Sequence, residues 1–98
     1  MATTTYKNIS SATTTTLLAK NTTAKGDISK ITIANHDNSD EVIIKLYLYD
    51  GTNTYVITET TIPPLVTLVL DDNLRFKSGT YDLKIDTSTT AEITVIIK

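Results

Sequence analysis

The chain has 98 residues, a formal net charge of −2, a pI near 5.1 and no cysteine. That length allows one domain around one core. Its eight lysines and one arginine are scattered, which excludes the clustered basic face of a nucleic-acid binder, and the missing cysteines exclude disulfides and thiolate metal sites.

Threonine supplies about a fifth of the residues, and together with Ile and Val it favours extended backbone. The opening residues, MATTTYKNISS, have neither the basic head nor the apolar run of a secretory signal. No apolar stretch approaches the roughly 20 residues of a membrane span. A chain assembled in a cytoplasm, without a membrane partner, is the expectation.

In chain order, residues 1–12 read as an N-terminal arm containing a first strand near Tyr6 to Ser11. "TTTTLLAKNTTAKGD" offers one helical turn around Leu17 and Leu18, with threonines and Asn21 opposing anything longer. "ISKITIAN" is extended, with Ile31 and Ile33 on one face. "VIIKLYLYD" places Ile44, Leu46 and Leu48 on one face and Ile43, Lys45, Tyr47 and Tyr49 on the other. Asp50–Gly51 suits a tight hairpin, or a longer loop that includes Thr52 and Asn53, before "TYVITET". Pro63 and Pro64 interrupt pairing and carry the chain between sheets. "LVTLVLD" is a strand closed by Asp71, Asp72 and Asn73. "LRFKSG" is a short run, "TYDLKID" alternates cleanly, and "AEITVIIK" aligns Ile93, Val95 and Ile97. About seven or eight short strands between turn signals predict a single antiparallel all-β sandwich, Ig-like or jelly-roll-like, over residues 1–98.

Chemistry is hard to place on this frame. His36 lies in "NHDNSDE", a run of turn formers, without an orienting partner or nucleophile in the pattern. Asp37, Asn38, Asp40 and Glu41 offer oxygen ligands but not the spacing of a calcium loop. "IDTST" around Asp86 faintly resembles the Asp-Thr-Gly of aspartic proteases, with Ser88 in place of the glycine and no glycine-rich flap. No nucleophile elbow or phosphate loop occurs. No enzyme activity, cofactor or metal is expected. Tyr47 and Tyr49 could form a stacking platform for a sugar, which with the His36 loop would make a carbohydrate-binding or adhesin module. Tyrosine is equally favoured at protein interfaces.

The second apolar face needs a purpose. Either Leu65 and Val69 or Val66, Leu68 and Leu70 must point away from the core. Such patches generally mark contact surfaces, and Ile43, Tyr47, Tyr49, Tyr55, Leu65, Val69 and Tyr6 are the candidate interface residues. A homo-oligomer, or docking onto a larger assembly, would cover them.

The elements Leu17–Leu18, Lys25–Gly26, Ile31–Asn35, Leu46–Gly51, Ile62–Pro64 and Leu68–Asp71 occur in an order that resembles small structural proteins of tailed-phage virions. The likeness runs over residues 13–98, with Pro64 where a glycine often follows the connector proline. It implies a non-enzymatic virion component, best matched by a capsid decoration (cement) protein, with a neck, tail or fibre-associated position as the alternative. Such proteins commonly sit as trimers on the major capsid protein, so the implied partners are copies of the chain itself and other virion proteins. An arm at residues 1–12 would reach a neighbour by strand addition.

Overall fold

The computed structural model describes residues 5–20, 27–71, 73–77 and 79–98. Ten strands occur among them: β1 (Thr5–Ile9), β2 (Thr14–Leu18), β3 (Asp27–Ile28), β4 (Ile31–Asn35), β5 (Val42–Tyr49), β6 (Thr54–Ile62), β7 (Val66–Leu70), β8 (Leu74–Arg75), β9 (Asp82–Thr87) and β10 (Ile93–Ile97). No helix among the described residues is long and apolar enough to cross a membrane.

Eight of the strands form two four-stranded sheets, ordered β1-β10-β4-β7 and β2-β9-β5-β6, while β3 and β8 make a two-residue pair. Every pairing is antiparallel. The pairs are nested: β5 with β6, β4 with β7, β3 with β8, β2 with β9 and β1 with β10. The chain is therefore one long hairpin ribbon, wound so that successive strand pairs fall in alternate sheets. Of the two sandwich topologies expected, this is the jelly roll.

Strand alternation fills the space between the sheets. Ile31 and Ile33 of β4, Ile93, Val95 and Ile97 of β10, Val42, Ile44 and Leu46 of β5, and Leu83 and Ile85 of β9 are all buried. On the first sheet, the rows Ile97–Ile31–Leu70 and Val95–Ile33–Leu68 cross three strands in register and point inward. The clean alternation of buried and half-buried positions along β4, β9 and β10 matches a sheet with one face in the core.

Leu17 and Leu18 lie in β2, not in a helical turn. A register shift between Thr16 and Leu18 against β9 lets two consecutive leucines both reach the core, where they are 5% and 8% exposed. A bulge thus satisfies a pattern that otherwise suggests a helix. Of the segment expected as an arm, Thr5–Ile9 pairs with β10 of the same chain, and residues 1–4 lie outside the described residues. Lys25–Gly26 and Asp72 also lie outside them. The β5–β6 turn is the longer alternative, with Gly51 at φ 100° and the Asp50 carboxylate accepting from the Thr52 and Asn53 N–H groups at 2.8 and 2.6 Å.

One buried polar side chain ties the sheets together. Asn35, 1% exposed at the end of β4, donates from Nδ2 to the carbonyls of Asp40 (2.9 Å), Ile62 (3.0 Å) and Pro63 (3.2 Å). Its Oδ1 accepts from the Asp37 N–H at 3.1 Å. Asn35 belongs to one sheet and Ile62 to the other, so the bond fixes where the Pro63–Pro64 connector leaves the sandwich.

Candidate functional site

Beyond that connector, the Val66 N–H donates to the Pro63 carbonyl at 3.3 Å. Leu65, in the third position of this turn, has φ 62°. A positive φ in that position is the mark of a type II turn, where glycine is preferred. Leucine there is strained, and its side chain is also 70% exposed. A strained, exposed, apolar residue costs the folded monomer twice, which points to a role outside it.

Leu65 has company. Among the described residues, the exposed large hydrophobic ones are Tyr6, Ile43, Tyr55, Val56, Leu65, Val66 and Val69, and all but the first two lie on β6, β7 or their connector. These strands are the outer strands of their sheets and meet on one side of the sandwich. Between them opens a cleft of about 310 Å³ lined by Ile31, Ile57, Val69, Leu70 and Leu74, with Asp71 and Asn73 at its mouth. On β7, Leu68 and Leu70 pack toward the core, while Val69 faces outward beside Thr32. Covering a half-exposed Val or Leu is worth roughly 1 kcal/mol, so this edge holds several kcal/mol in reserve.

The outer face of the second sheet is different. Tyr47 and Tyr49 do leave the core on the side opposite Ile44 and Leu46, but Tyr47 is only 8% exposed. Its hydroxyl donates to Asp86 Oδ1 at 2.9 Å, an oxygen that also accepts from Thr14 Oγ1 at 2.7 Å. Burial, followed by the bond to Asp86, raises the Tyr47 pKa above its ordinary 10.0. Lys45 Nζ lies 5.8 Å from the Tyr47 ring centroid and Lys84 Nζ 4.9 Å from that of Tyr49, and the Tyr49 hydroxyl donates to the Gly51 carbonyl at 3.0 Å. Long lysine side chains cover rings in this way while keeping their charge in water. Tyr47, expected on the outer face as an interface or platform residue, is on that face but covered by the chain itself. Lys45, Tyr47, Tyr49, Thr54, Lys84 and Asp86 line a depression of about 260 Å³.

The other sequence candidates are dispersed. Ile43 is 48% exposed, and its N–H donates to Ser88 Oγ at 2.9 Å. Tyr55 packs edge-to-face with Tyr81, centroids 5.9 Å apart. Tyr6, 68% exposed, stands on β1 at the opposite edge from β7. His36 Nδ1 lies 3.6 Å from Glu92 Oε2, and Nε2 lies 3.1 Å from Thr94 Oγ1. Asp37 caps its own turn, accepting from the Ser39 and Asp40 N–H groups at 3.0 and 2.8 Å. These bonds hold its pKa below the usual 3.8. No group of three His, Cys, Asp or Glu among the described residues is placed to hold a metal ion. Thr87 of "IDTST" is buried and donates to the Ser11 carbonyl at 2.7 Å, which fits a structural part for that stretch.

No family model matches the chain, and a search of curated proteins finds no relative. Solved structures do match. Two crystal structures of a pentameric capsid protein isolated from metagenomic phage sequences, one phased with iodide, superpose at a TM-score of 0.60 and 18% identity. The match covers 97% of this chain and 59% and 60% of those chains. The likeness is one of fold. This chain spans about three-fifths of the capsid chains it matches.

Val56 joins the exposed set without having been singled out in the sequence, and Val66 is exposed together with Leu65 and Val69 rather than as the alternative to them. The absence of any charge between Pro63 and Leu70 was the signal for Val66, but which strands form edges depends on topology.

Proposed function

We propose that this chain is a non-enzymatic structural protein of a phage virion, and within the particle a capsid decoration (cement) protein. It acts as a homo-oligomer laid against the outside of the head, in contact with the major capsid protein, and joins the particle in the host cytoplasm. The observation that carries this reading is the β6–β7 edge, where Val56, Leu65, Val66 and Val69 remain in water on a lone molecule. That a similar fold occurs in a protein named as a pentameric phage capsid protein supports placing the edge in a capsid context. Several identical contacts held together bind far more tightly than one, so a small oligomer suits the decoration role.

The test compares particles from the source phage with and without the gene for this chain. Extra density on the heads is expected only when the gene is present, with recombinant protein cosedimenting onto heads that lack it. Density confined to the neck or tail would move the chain to that position. Particles of unchanged appearance, free of the chain by mass spectrometry, would overturn the proposal.

A further inference from the structure

One end of the sandwich carries a pocket that the assembly reading does not use. Tyr55 of β6 is the cross-strand partner of Leu48, so both stand on the inward side of the second sheet, whereas Val56 is paired with Tyr47 on the outer side. Tyr55 is nevertheless half exposed, because it lies beside the β5–β6 turn at the mouth of the sandwich. The segment after β8 folds back toward it: the Thr80 and Tyr81 N–H groups both donate to the Lys77 carbonyl, at 3.0 and 3.1 Å. That turn sets the Tyr81 ring edge-to-face with Tyr55, their planes 85° apart. The two rings line a cavity of about 440 Å³, within the roughly 300–1,000 Å³ of small-ligand sites.

Three kinds of group meet in it. Leu48 and Phe76, packed against the core, give an apolar floor. Tyr55, Tyr81 and Thr80 bring three hydroxyls, each able to donate and accept. Arg75 and Lys77 bring positive charge, and no aspartate or glutamate is among the described lining residues. Arg75 faces Asp27 in the β3–β8 register, so recognition of an anion falls to Lys77. The acids closest along the chain are engaged elsewhere: Asp82 accepts from the Lys20 N–H at 2.7 Å, and Asp50 caps its own turn.

We infer that this pocket binds an acidic sugar, a pyranose that carries a carboxylate. Two rings at a right angle form a corner for a puckered ring with C–H groups on its face, not the parallel slot that grips a flat base. Hydroxyls on the rim match sugar hydroxyls, which also donate and accept. One lysine supplies a point charge suited to one carboxylate, and the described lining residues include no glycine-rich loop or helix N-terminus to cradle a phosphate. The pocket faces inward at the mouth, apart from the outward Val56 and Val69, so binding sugar does not depend on the decoration role. Where that role holds, many copies on one head turn a weak sugar contact into a firm one.

Amide NMR titration of the whole chain with oligogalacturonate tests the inference. Its methyl ester, which keeps the sugar rings and loses the charge, is the control. Shifts are expected around Tyr55, Lys77, Thr80 and Tyr81, with a dissociation constant of about 1 mM, and binding about tenfold weaker for the ester. Lys77→Ala should weaken the acid about tenfold and leave the ester unchanged. Tyr55→Ala should abolish binding of both, whereas Val56→Ala, on the other face of the same strand, should alter neither; circular dichroism verifies folding. Equal binding of acid and ester would overturn the carboxylate. Tighter binding of inorganic phosphate or guanosine monophosphate would overturn the sugar, and no shift around the pocket with any probe would overturn the site. Tyr55→Ala should still coat heads, so failure here and failure of the decoration role are read separately.

Discussion

The Asn35 amide donates to the Ile62 carbonyl at 3.0 Å, joining the last residue of β4 in one sheet to the last residue of β6 in the other. The same amide reaches Pro63 and Asp40, so two N–H protons serve three carbonyls. Asn35→Ala would leave these acceptors without a donor in a site that is nearly dry. A loss of about 2–3 kcal/mol is expected, seen as a melting temperature lower by on the order of 10 °C. A change of less than about 2 °C would show that water replaces the amide.

Leu65 gives a prediction in which stability and assembly move in opposite directions. Leu65→Gly relieves a side chain held at φ 62°, offset in part by the greater freedom of glycine in the unfolded chain. The variant should melt higher by roughly 4 °C, equivalent to about 1 kcal/mol. It should also self-associate more weakly, because the exposed leucine is gone. A lower melting temperature would mean that Leu65 already packs within its own molecule.

At alkaline pH, Tyr47 should make the fold fragile. Its folded-state pKa lies above 10.0, so folding favours the protonated phenol. That contribution is whole below pH 10 and disappears as the pH rises from there through the raised value. Tyr47→Phe should cost about 1 kcal/mol near neutrality and should show a shallower fall in melting temperature between about pH 9 and 11. Parallel curves for the two proteins would remove Tyr47 from the alkaline transition.

Acid should act through the turns. Asp50 is held below 3.8 by the backbone N–H groups of Asn53 and Thr52, and Asp37 by those of Asp40 and Ser39. A carboxylate with a lowered folded-state pKa stabilises above its unfolded value and loses that contribution as pH falls through the lowered one. The β5–β6 and β4–β5 turns should therefore weaken below about pH 4. Asp50→Asn together with Asp37→Asn should flatten the acid limb of the stability curve, which chemical denaturation at pH 3 and pH 6 would measure.

Much of the frame could be read from the chain, and particular residues show why the rest could not. The alternation of "TYDLKID" and "AEITVIIK" gave β9 and β10 directly, because one face of each is in the core. "TTTTLLAK" misled, since two adjacent leucines fit a helical turn as well as a bulged strand, and the choice lies with the register against β9. Tyr47 was assigned the correct side of β5 but not its cover. The lysine above it, the carboxylate beneath its hydroxyl and the threonine beyond come from three strands. The β6–β7 edge was visible as surplus apolar residues, but only the topology makes it an edge.

The nested order of the pairs has a consequence for how the molecule is made. Contacts near the middle turn span few residues, whereas Asn8 meets Thr94 across 86 positions. Closure from the Asp50–Asn53 hairpin outward would therefore meet the smallest entropic cost at each step. A nascent chain on the ribosome can form that hairpin early, but β1, β2, β4 and β5 each lack a neighbour until β9 and β10 emerge. The edge that invites partners would be present, with its apolar side chains, before the sandwich is complete. Crowded synthesis sites should then favour premature association, and slow translation of the final segment should aggravate it.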